Sequence, residues 1–191
     1  MRCVGGSVPA ALLLACLAAE CAADTTQHVF WQPLDHFARN GGGGGGMLPQ
    51  RYLVNDDYYS DGPVILYSVG ERAVQGAADI EGSPVYDLAR QTRALVVLLE
   101  LRFYGASLPD RADQLGFLSV EQMMADIHRF AVHANGTAGR AAAAAAAARR
   151  WVLVGGSFAG SLAAWTRYQY PDLDAMVIAS GAPMRLVDEY R

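Results

Sequence analysis

Cysteine is nearly absent from this sequence of 191 residues. The three cysteines are Cys3, Cys16 and Cys21, so no thiol occurs in the rest of the chain. That long remainder therefore contains no disulfide, even in a compartment that would permit one. The absence of a later cysteine also excludes a thiol nucleophile and a small scaffold held together by disulfides.

A basic surface is lacking as well. The 15 Lys and Arg residues are outnumbered by 19 Asp and Glu residues, which gives a formal net charge of -4 at pH 7. Binding to nucleic acid is not expected, because it needs a concentrated positive surface. The length is that of one domain, and the 52% of hydrophobic residues suffice for a substantial core.

No apolar run reaches the roughly 20 residues that a membrane-spanning helix needs. Residues 8–19 are apolar, follow the positive Arg2 and precede small residues at 21–23. This order is typical of a secretory signal. We predict a signal peptide at residues 1–23, with an uncleaved anchor as the alternative, and no membrane span after its removal. Secretion makes the sequon at Asn135 a candidate glycosylation site.

Short apolar runs alternate with helical patterns along the rest of the chain. The runs predict strands at residues 25–37, 50–55, 63–69, 94–100, 151–154 and 175–180. Between them, Pro84 suits the first turn of a helix, residues 119–122 resemble a capped helix start, and another helix follows at 157–170. This alternation predicts an α/β fold with a mostly parallel sheet. Pro33 favours an edge position for the first strand.

Two low-complexity tracts interrupt this pattern. The glycine run at residues 41–46 is expected to form a flexible loop and not a phosphate cradle, since neither a Lys-Ser or Lys-Thr pair nor a helix start follows it. Residues 141–148 are all alanine, which favours a helix but offers no amphipathic face for packing. We interpret both tracts as tolerated insertions without a chemical role.

The main candidate for chemistry is Ser157. It follows an apolar run and two glycines and precedes an alanine-rich helical stretch. This is the layout of a nucleophile elbow, in which a sharp strand-to-helix turn exposes a serine hydroxyl. Such a turn needs small residues two positions before and after the serine. Gly155 and Ala159 meet that need, although the second position is usually glycine. The alternative is a plain helix start that Ser157 caps.

A base for this serine is missing from the sequence that follows it. A serine nucleophile needs a base oriented by a carboxylate, and in α/β-hydrolases both partners come later in the chain. All four histidines precede Ser157: His28, His36, His128 and His133. The acids that follow lie too near the elbow for a triad: Asp172, Asp174, Asp188 and Glu189. We expect the chain to be the N-terminal part of a longer enzyme and inactive alone; a different fold is the alternative.

The candidate oxyanion hole consists of backbone N–H groups. Phe158 follows the nucleophile, and Gly70 or Glu71 follows the third strand, which are the two positions that build this site in α/β-hydrolases.

For the histidines and Arg102, structural interpretations stand beside functional ones. No spacing of His, Asp and Glu predicts a metal site, and no cofactor is expected. We interpret His36 and His128 as half-buried or surface residues. Arg102 follows a buried strand, at the end of a sheet where sites gather; its alternative is a structural ion pair.

Six blocks of residues occur in the order found in one family. They are residues 30–37, 50–55, 62–67, 102–109, 118–122 and 155–165. Together they resemble the lysosomal Pro-X carboxypeptidase family of serine peptidases, which includes dipeptidyl peptidase II and thymus-specific serine protease. The resemblance covers nearly all of residues 30–183.

The resemblance implies an α/β-hydrolase core interrupted by a helical cap domain, with Ser157 as the nucleophile. It also implies an exopeptidase that acts on peptides with proline near the scissile bond, in lysosomes or outside the cell. The triad Asp and His would follow the cap, beyond residue 191. Residues 24–191 would then be the N-terminal part of the peptidase domain.

Four positions depart from the family pattern. Val69 and Arg72 replace small residues in the loop after the third strand, Leu101 replaces a common histidine, and Phe158 replaces a frequent tyrosine. An esterase of the same fold and a non-catalytic secreted protein are the alternatives to a peptidase. Carboxypeptidase or dipeptidyl-peptidase action, and a monomer or a homodimer, are left open.

Overall fold

A computed structural model describes residues 25–38, 46–133 and 151–185 of the chain. Several predictions lie outside these residues. They concern the signal peptide, most of the glycine tract, the sequon at Asn135, the alanine tract, and the acids Asp188 and Glu189. Within the described ranges, no helix is long and apolar enough to cross a membrane.

Among the residues that the structure describes, six strands form one mixed sheet in the order β1-β2-β4-β3-β5-β6. They are β1 (Thr26–Pro33), β2 (Met47–Asn55), β3 (Val64–Ser68), β4 (Leu95–Leu99), β5 (Trp151–Gly156) and β6 (Ala175–Ser180). β2 runs antiparallel to β1 and β4, whereas β4, β3, β5 and β6 are parallel neighbours. The predicted mostly parallel sheet is confirmed, and β1 lies at its edge, with Pro33 as its last residue.

In the described part of the chain, four α-helices accompany the sheet: α1 (Ala78–Glu81), α2 (Pro84–Thr92), α3 (Val120–His133) and α4 (Ser157–Gln169), with a 3-10 helix at Ala112–Phe117. The predicted start of α3 is confirmed, because the Gln122 N–H donates to Ser119 Oγ at 3.3 Å. The sequence pattern does not predict α1 or the 3-10 helix, since one or two turns are too short to show a helical period.

The helices cover the two faces of the sheet, which explains why β4 is apolar at every position. Leu95, Val97 and Leu99 pack toward α3 and α4 in one core cluster. Val96 and Leu98 pack toward α2 in a second cluster. A strand that is buried on both faces is a continuous apolar run.

The parallel strands bring three connecting loops to one edge of the sheet. In the register of the sheet, Tyr67 of β3 lies opposite Leu98 of β4, and Ser68 lies opposite Gly155 of β5. The loops that follow β3, β4 and β5 therefore lie side by side at the carboxyl ends of these strands. Ligands of open α/β sheets bind at this edge.

Candidate active site

Ser157 is the first residue of α4 and directly follows β5. Its φ angle is 51°, in the left-handed region, which costs an L-residue roughly 1–2 kcal/mol. The residue is exposed. Gly156, with φ −105° and ψ 151°, occupies the N-cap position instead. Ser157 is therefore not the cap of the helix but an exposed serine in a strained strand-to-helix turn.

The small residues around Ser157 allow the turn to close. A Cβ atom on Gly155 would lie 2.4 Å from the carbonyl carbon and oxygen of Ala159 and 2.6 Å from the Gly160 nitrogen. A Cβ atom on Gly160 would lie 2.8 Å from the Gly155 carbonyl oxygen. Because backbone contacts backbone, no side chain fits between the end of β5 and the first turn of α4.

The loop after β3 lies beside this turn. Gly70 has a φ angle of 82°, and a Cβ atom built on it would lie 3.9 Å from Ala159 Cβ. The Gly70 N–H donates to Ser68 Oγ at 3.2 Å, and the Arg72 N–H donates to the Gly70 carbonyl at 2.9 Å. Glu71 N–H has no hydrogen-bond partner among the described residues. Of the two candidate donors from this loop, Glu71 is therefore the one whose N–H is available.

The second candidate donor, Phe158, is in the first turn of α4. The first four N–H groups of a helix have no partner within the helix, and the positive end of the helix dipole lies there. An oxyanion placed above Ser157 would therefore lie near both the free N–H groups and the positive end of the helix dipole. The structure thus puts one helix N–H and the β3 loop on the same edge of the sheet as the exposed hydroxyl.

The two bulky residues that depart from the family pattern do not crowd this loop. The Arg72 guanidinium pairs with Asp79, with Nη2 2.6 Å from Oδ1. Val69 packs against the core cluster on the α2 face of the sheet. Both side chains are therefore engaged away from the backbone N–H groups of Gly70 and Glu71.

Sequence reasoning missed the residues that hold the end of this loop. Asp79 Oδ2 accepts the Gln75 N–H at 2.6 Å, and Glu100 Oε1 accepts the Val74 N–H at 2.8 Å. One signal pointed to Glu100: it follows the all-apolar run of β4, and an acidic residue is almost never fully buried unless it is paired.

Arg102 forms a structural ion pair, which is the alternative to a role in a functional site. It is fully buried, and its Nε and Nη2 donate to Asp126 at 2.6 and 2.8 Å. Its Nη1 donates to the carbonyls of Leu34 and Phe117, both at 2.9 Å. His36 Nε2 lies 2.7 Å from Asp126. This network ties the end of β1 to α3, and His36 is a half-buried residue within it.

None of the four histidines forms a hydrogen bond with Ser157 in the described part of the chain. His28 stacks on Tyr52, and His133 Nδ1 lies 3.0 Å from the Arg129 carbonyl. His128 stacks on Tyr170 and contacts Asp172 at 2.9 Å. In the same ranges, no three His, Cys, Asp or Glu residues form a group that could hold a metal. Ser157 therefore has no base among these residues.

The contact between His128 and Asp172 predicts a pH-dependent contribution to stability. The hydrogen bond from His128 lowers the pKa of the Asp172 carboxyl from its ordinary value of 3.8. A carboxyl with a lowered pKa stabilises the fold above its unfolded-state pKa, and this contribution is lost as the pH falls through the folded-state pKa. Asp172→Asn should therefore reduce the free energy of unfolding near neutral pH, by less than about 1 kcal/mol because the pair is exposed.

Urea denaturation at pH values above and below 3.8 measures this difference. The matched control is Asp174→Asn, which removes a nearby exposed carboxylate without a histidine partner in the described chain. A deficit of Asp172→Asn that persists unchanged at the lower pH contradicts the assignment.

An apolar cavity lies away from Ser157. It has a volume of about 470 Å³ and is lined mainly by apolar residues of α2, β3, β5 and β6. Its lining includes Pro63, Trp151 and Asp174, at the amino ends of these strands. Ser157 follows the opposite, carboxyl end of β5. This cavity contains no nucleophile with a base and is not the candidate active site.

Two solved structures that resemble the chain are a probable hydrolytic enzyme and a carboxylesterase. A probable hydrolytic enzyme from Pseudomonas aeruginosa PAO1 matches with a TM-score of 0.55 at 17% identity, over 83% of this chain and 42% of that one. The thermostable carboxylesterase EstE1, from a metagenomic library, matches with a TM-score of 0.51 at 18% identity, over 85% and 49%. At this identity the likeness shows the fold alone, and it confirms a partial α/β-hydrolase core.

The sequence comparisons are more specific. The human thymus-specific serine protease is 39% identical over 146 residues, which are 74% of this chain and 27% of that protein. The bovine lysosomal Pro-X carboxypeptidase is 33% identical over 161 residues, 80% of this chain and 30% of that protein. The chain thus spans about three tenths of the length of these relatives. The sequence model of serine carboxypeptidase S28 matches residues 32–190, and the chain therefore belongs to the serine carboxypeptidase S28 family.

Proposed function

We propose that Ser157 is the nucleophile of a serine exopeptidase. The observation that carries this proposal is the exposed serine with φ 51° between β5 and α4, in a chain of the S28 family. A strained turn persists only where the surrounding structure imposes it, and such strain is concentrated at functional sites. The contacts of Gly155 and Gly160 with the facing backbone impose it here.

In the proposed reaction, Ser157 Oγ attacks the carbonyl carbon of the scissile bond. Its proton passes to a base, and the carbonyl oxygen becomes an oxyanion that accepts hydrogen bonds from the N–H groups of Phe158 and Glu71. Breaking of the C–N bond leaves an acyl-enzyme and releases the amine, which takes up the proton. Water then attacks the acyl carbon and regenerates the free hydroxyl.

The reaction needs a base and an orienting carboxylate that the described residues do not place at Ser157. We infer that both come from the part of the whole protein that corresponds to the remaining length of the relatives. The 191-residue chain by itself is then inactive. Loss of the base without replacement would instead leave a non-catalytic secreted protein, which is the second candidate function.

The substrates we propose are peptides with a proline next to the scissile bond. The support is the name of the relatives called lysosomal Pro-X carboxypeptidase, at 32–33% identity. The same name supports a lysosomal location. Whether the enzyme removes a C-terminal residue or an N-terminal dipeptide depends on the shape of the cleft beyond the described residues.

The proposal is tested on the protein expressed from its own gene at its natural length. We expect it to hydrolyse a short peptide with a Pro-Phe bond at least about tenfold faster than the same peptide with alanine in place of proline, since a pocket that fits one side chain discriminates by this order. A simple ester is the second substrate. Hydrolysis of the ester alone would indicate an esterase, and hydrolysis of neither would favour the non-catalytic protein.

A further inference from the structure

We propose that Glu100 and Arg51 are positioning residues for the oxyanion hole. They hold the loop that follows β3, residues 69–75, in the place where the Glu71 N–H faces the reacting carbonyl. This inference rests on the proposed function of Ser157 and adds to it two residues that do not touch the substrate.

Glu100 is completely buried and collects hydrogen bonds from three segments of the chain. Its Oε1 accepts the Val74 N–H at 2.8 Å and Arg51 Nη2 at 2.5 Å. Its Oε2 accepts Arg51 Nε at 3.2 Å, the Ala106 N–H at 3.0 Å and the Ser107 hydroxyl at 2.8 Å. The carboxylate therefore joins the loop after β3, strand β2 and the loop after β4.

Arg51 completes the attachment from the neighbouring strand. Its Nη2, besides contacting Glu100, donates to the Val74 carbonyl at 2.7 Å. Both the N–H and the carbonyl of Val74 are thus fixed by one ion pair, and the Val74 side chain is buried in the core cluster on the α2 face. Val74 follows Glu71 by three residues, so this anchor limits how far the Glu71 N–H can move.

The turn after β4 also packs closely against the loop after β3. Gly105 has a φ angle of 54°, and a Cβ atom built on it would lie 1.9 Å from Glu100 Oε1 and 3.1 Å from Ala73 Cα. Gly105 is thus in contact with both the carboxylate and the loop. Only glycine fits there, so the turn after β4 packs directly against the backbone of Ala73.

The charge state of Glu100 suits this role. Burial alone would raise the pKa of its carboxyl, but the hydrogen bonds from Arg51, Val74 and Ser107 outweigh burial and hold the pKa below its ordinary value of 4.5. The carboxylate therefore stays ionised in a mildly acidic compartment, and its bonds to the loop persist there.

Precise placement of this loop matters because an oxyanion donor must lie within about 2.7–3.1 Å of the developing charge. Glu71 itself is exposed, and its N–H has no hydrogen-bond partner among the described residues. Its position then depends on the anchored ends of the loop, which are Gly70 beside α4 and Val74 on the ion pair.

The test compares variants of the protein at its natural length in peptide hydrolysis. Glu100→Gln should lower kcat about 10- to 100-fold, with KM changed less than about threefold, since a donor displaced by about 1 Å costs on this order. Arg51→Lys keeps the charge but loses the fork that reaches both Glu100 and Val74. It should give an intermediate loss and provides a second variant if Glu100→Gln does not fold.

The matched control is Asp126→Asn, which breaks a different buried ion pair, the one between Asp126 and Arg102. It should lower the unfolding temperature but leave kcat of the folded protein within about twofold, because the Asp126 carboxylate contacts His36 and Arg102 and makes no hydrogen bond to residues 69–75 in the described chain. Hydrogen exchange at residues 71–75 gives an activity-independent reading: it should be faster in Glu100→Gln and unchanged in Asp126→Asn.

The outcomes separate the two proposals. If the wild-type protein shows no turnover that depends on Ser157, the proposed function fails and this inference fails with it. If the wild type turns over peptide and folded Glu100→Gln retains its kcat, the positioning role alone is overturned. The same holds if Glu100→Gln changes kcat no more than Asp126→Asn does.

Discussion

Replacing Ser157 with alanine is expected to abolish covalent labelling of the protein by a fluorophosphonate and to lower kcat for peptides by at least about 10⁴-fold. The probe forms its bond with an activated serine oxygen, which alanine lacks. Little change in stability is expected, because Ser157 is exposed and alanine adopts the same backbone conformation at a similar cost. Gel fluorescence and intact-mass spectrometry measure the labelling, and thermal unfolding measures the stability.

The control for this prediction is Ser60→Ala, which removes an exposed serine hydroxyl in the turn between β2 and β3. Labelling of this variant should equal that of the wild type. The isolated 191-residue chain should not be labelled, since none of its histidines contacts Ser157 in the described ranges. Undiminished labelling of Ser157→Ala would reject the nucleophile assignment, and absence of labelling in the whole wild-type protein would favour the non-catalytic alternative.

Replacing Gly155 with alanine should have the largest effect on the fold. The new Cβ would lie 2.4 Å from the carbonyl carbon and oxygen of Ala159, and backbone atoms cannot rotate away as a side chain can. The end of β5 and the first turn of α4 would have to separate. We expect a loss of about 3 kcal/mol or more in the free energy of unfolding, measured by urea denaturation, or failure to fold.

The adjacent glycine provides the matched control. A Cβ atom on Gly156 would meet only the Ser180 carbonyl oxygen at 3.9 Å, and its φ of −105° and ψ of 151° are open to any residue. Gly156→Ala should change the free energy of unfolding by no more than about 1 kcal/mol. Equal destabilisation by the two substitutions would show that the elbow is not closely packed at Gly155.

Much of the fold could be predicted because its signals are local. The all-apolar run at β4 indicates burial on both faces, and the alternation of runs with helical patterns indicates parallel pairing. The start of α3 follows from Ser119, whose hydroxyl needs only the next turn. The short α1 and the 3-10 helix could not be predicted in this way, because tertiary contacts and not a periodic pattern hold such single turns.

In the candidate site too, local features could be predicted from the sequence and tertiary contacts could not. Residue types alone made Ser157 the candidate nucleophile and predicted small residues around it, since the steric demand of the turn falls on positions two residues away. They did not distinguish Gly70 from Glu71 as the donor, or show that Arg102 belongs to a structural network. They also did not reveal that Glu100 and Arg51 hold the loop after β3. Those decisions depend on pairs of residues up to 90 positions apart, such as His36 and Asp126 in the Arg102 network, which meet only when the sheet places the ends of its strands together.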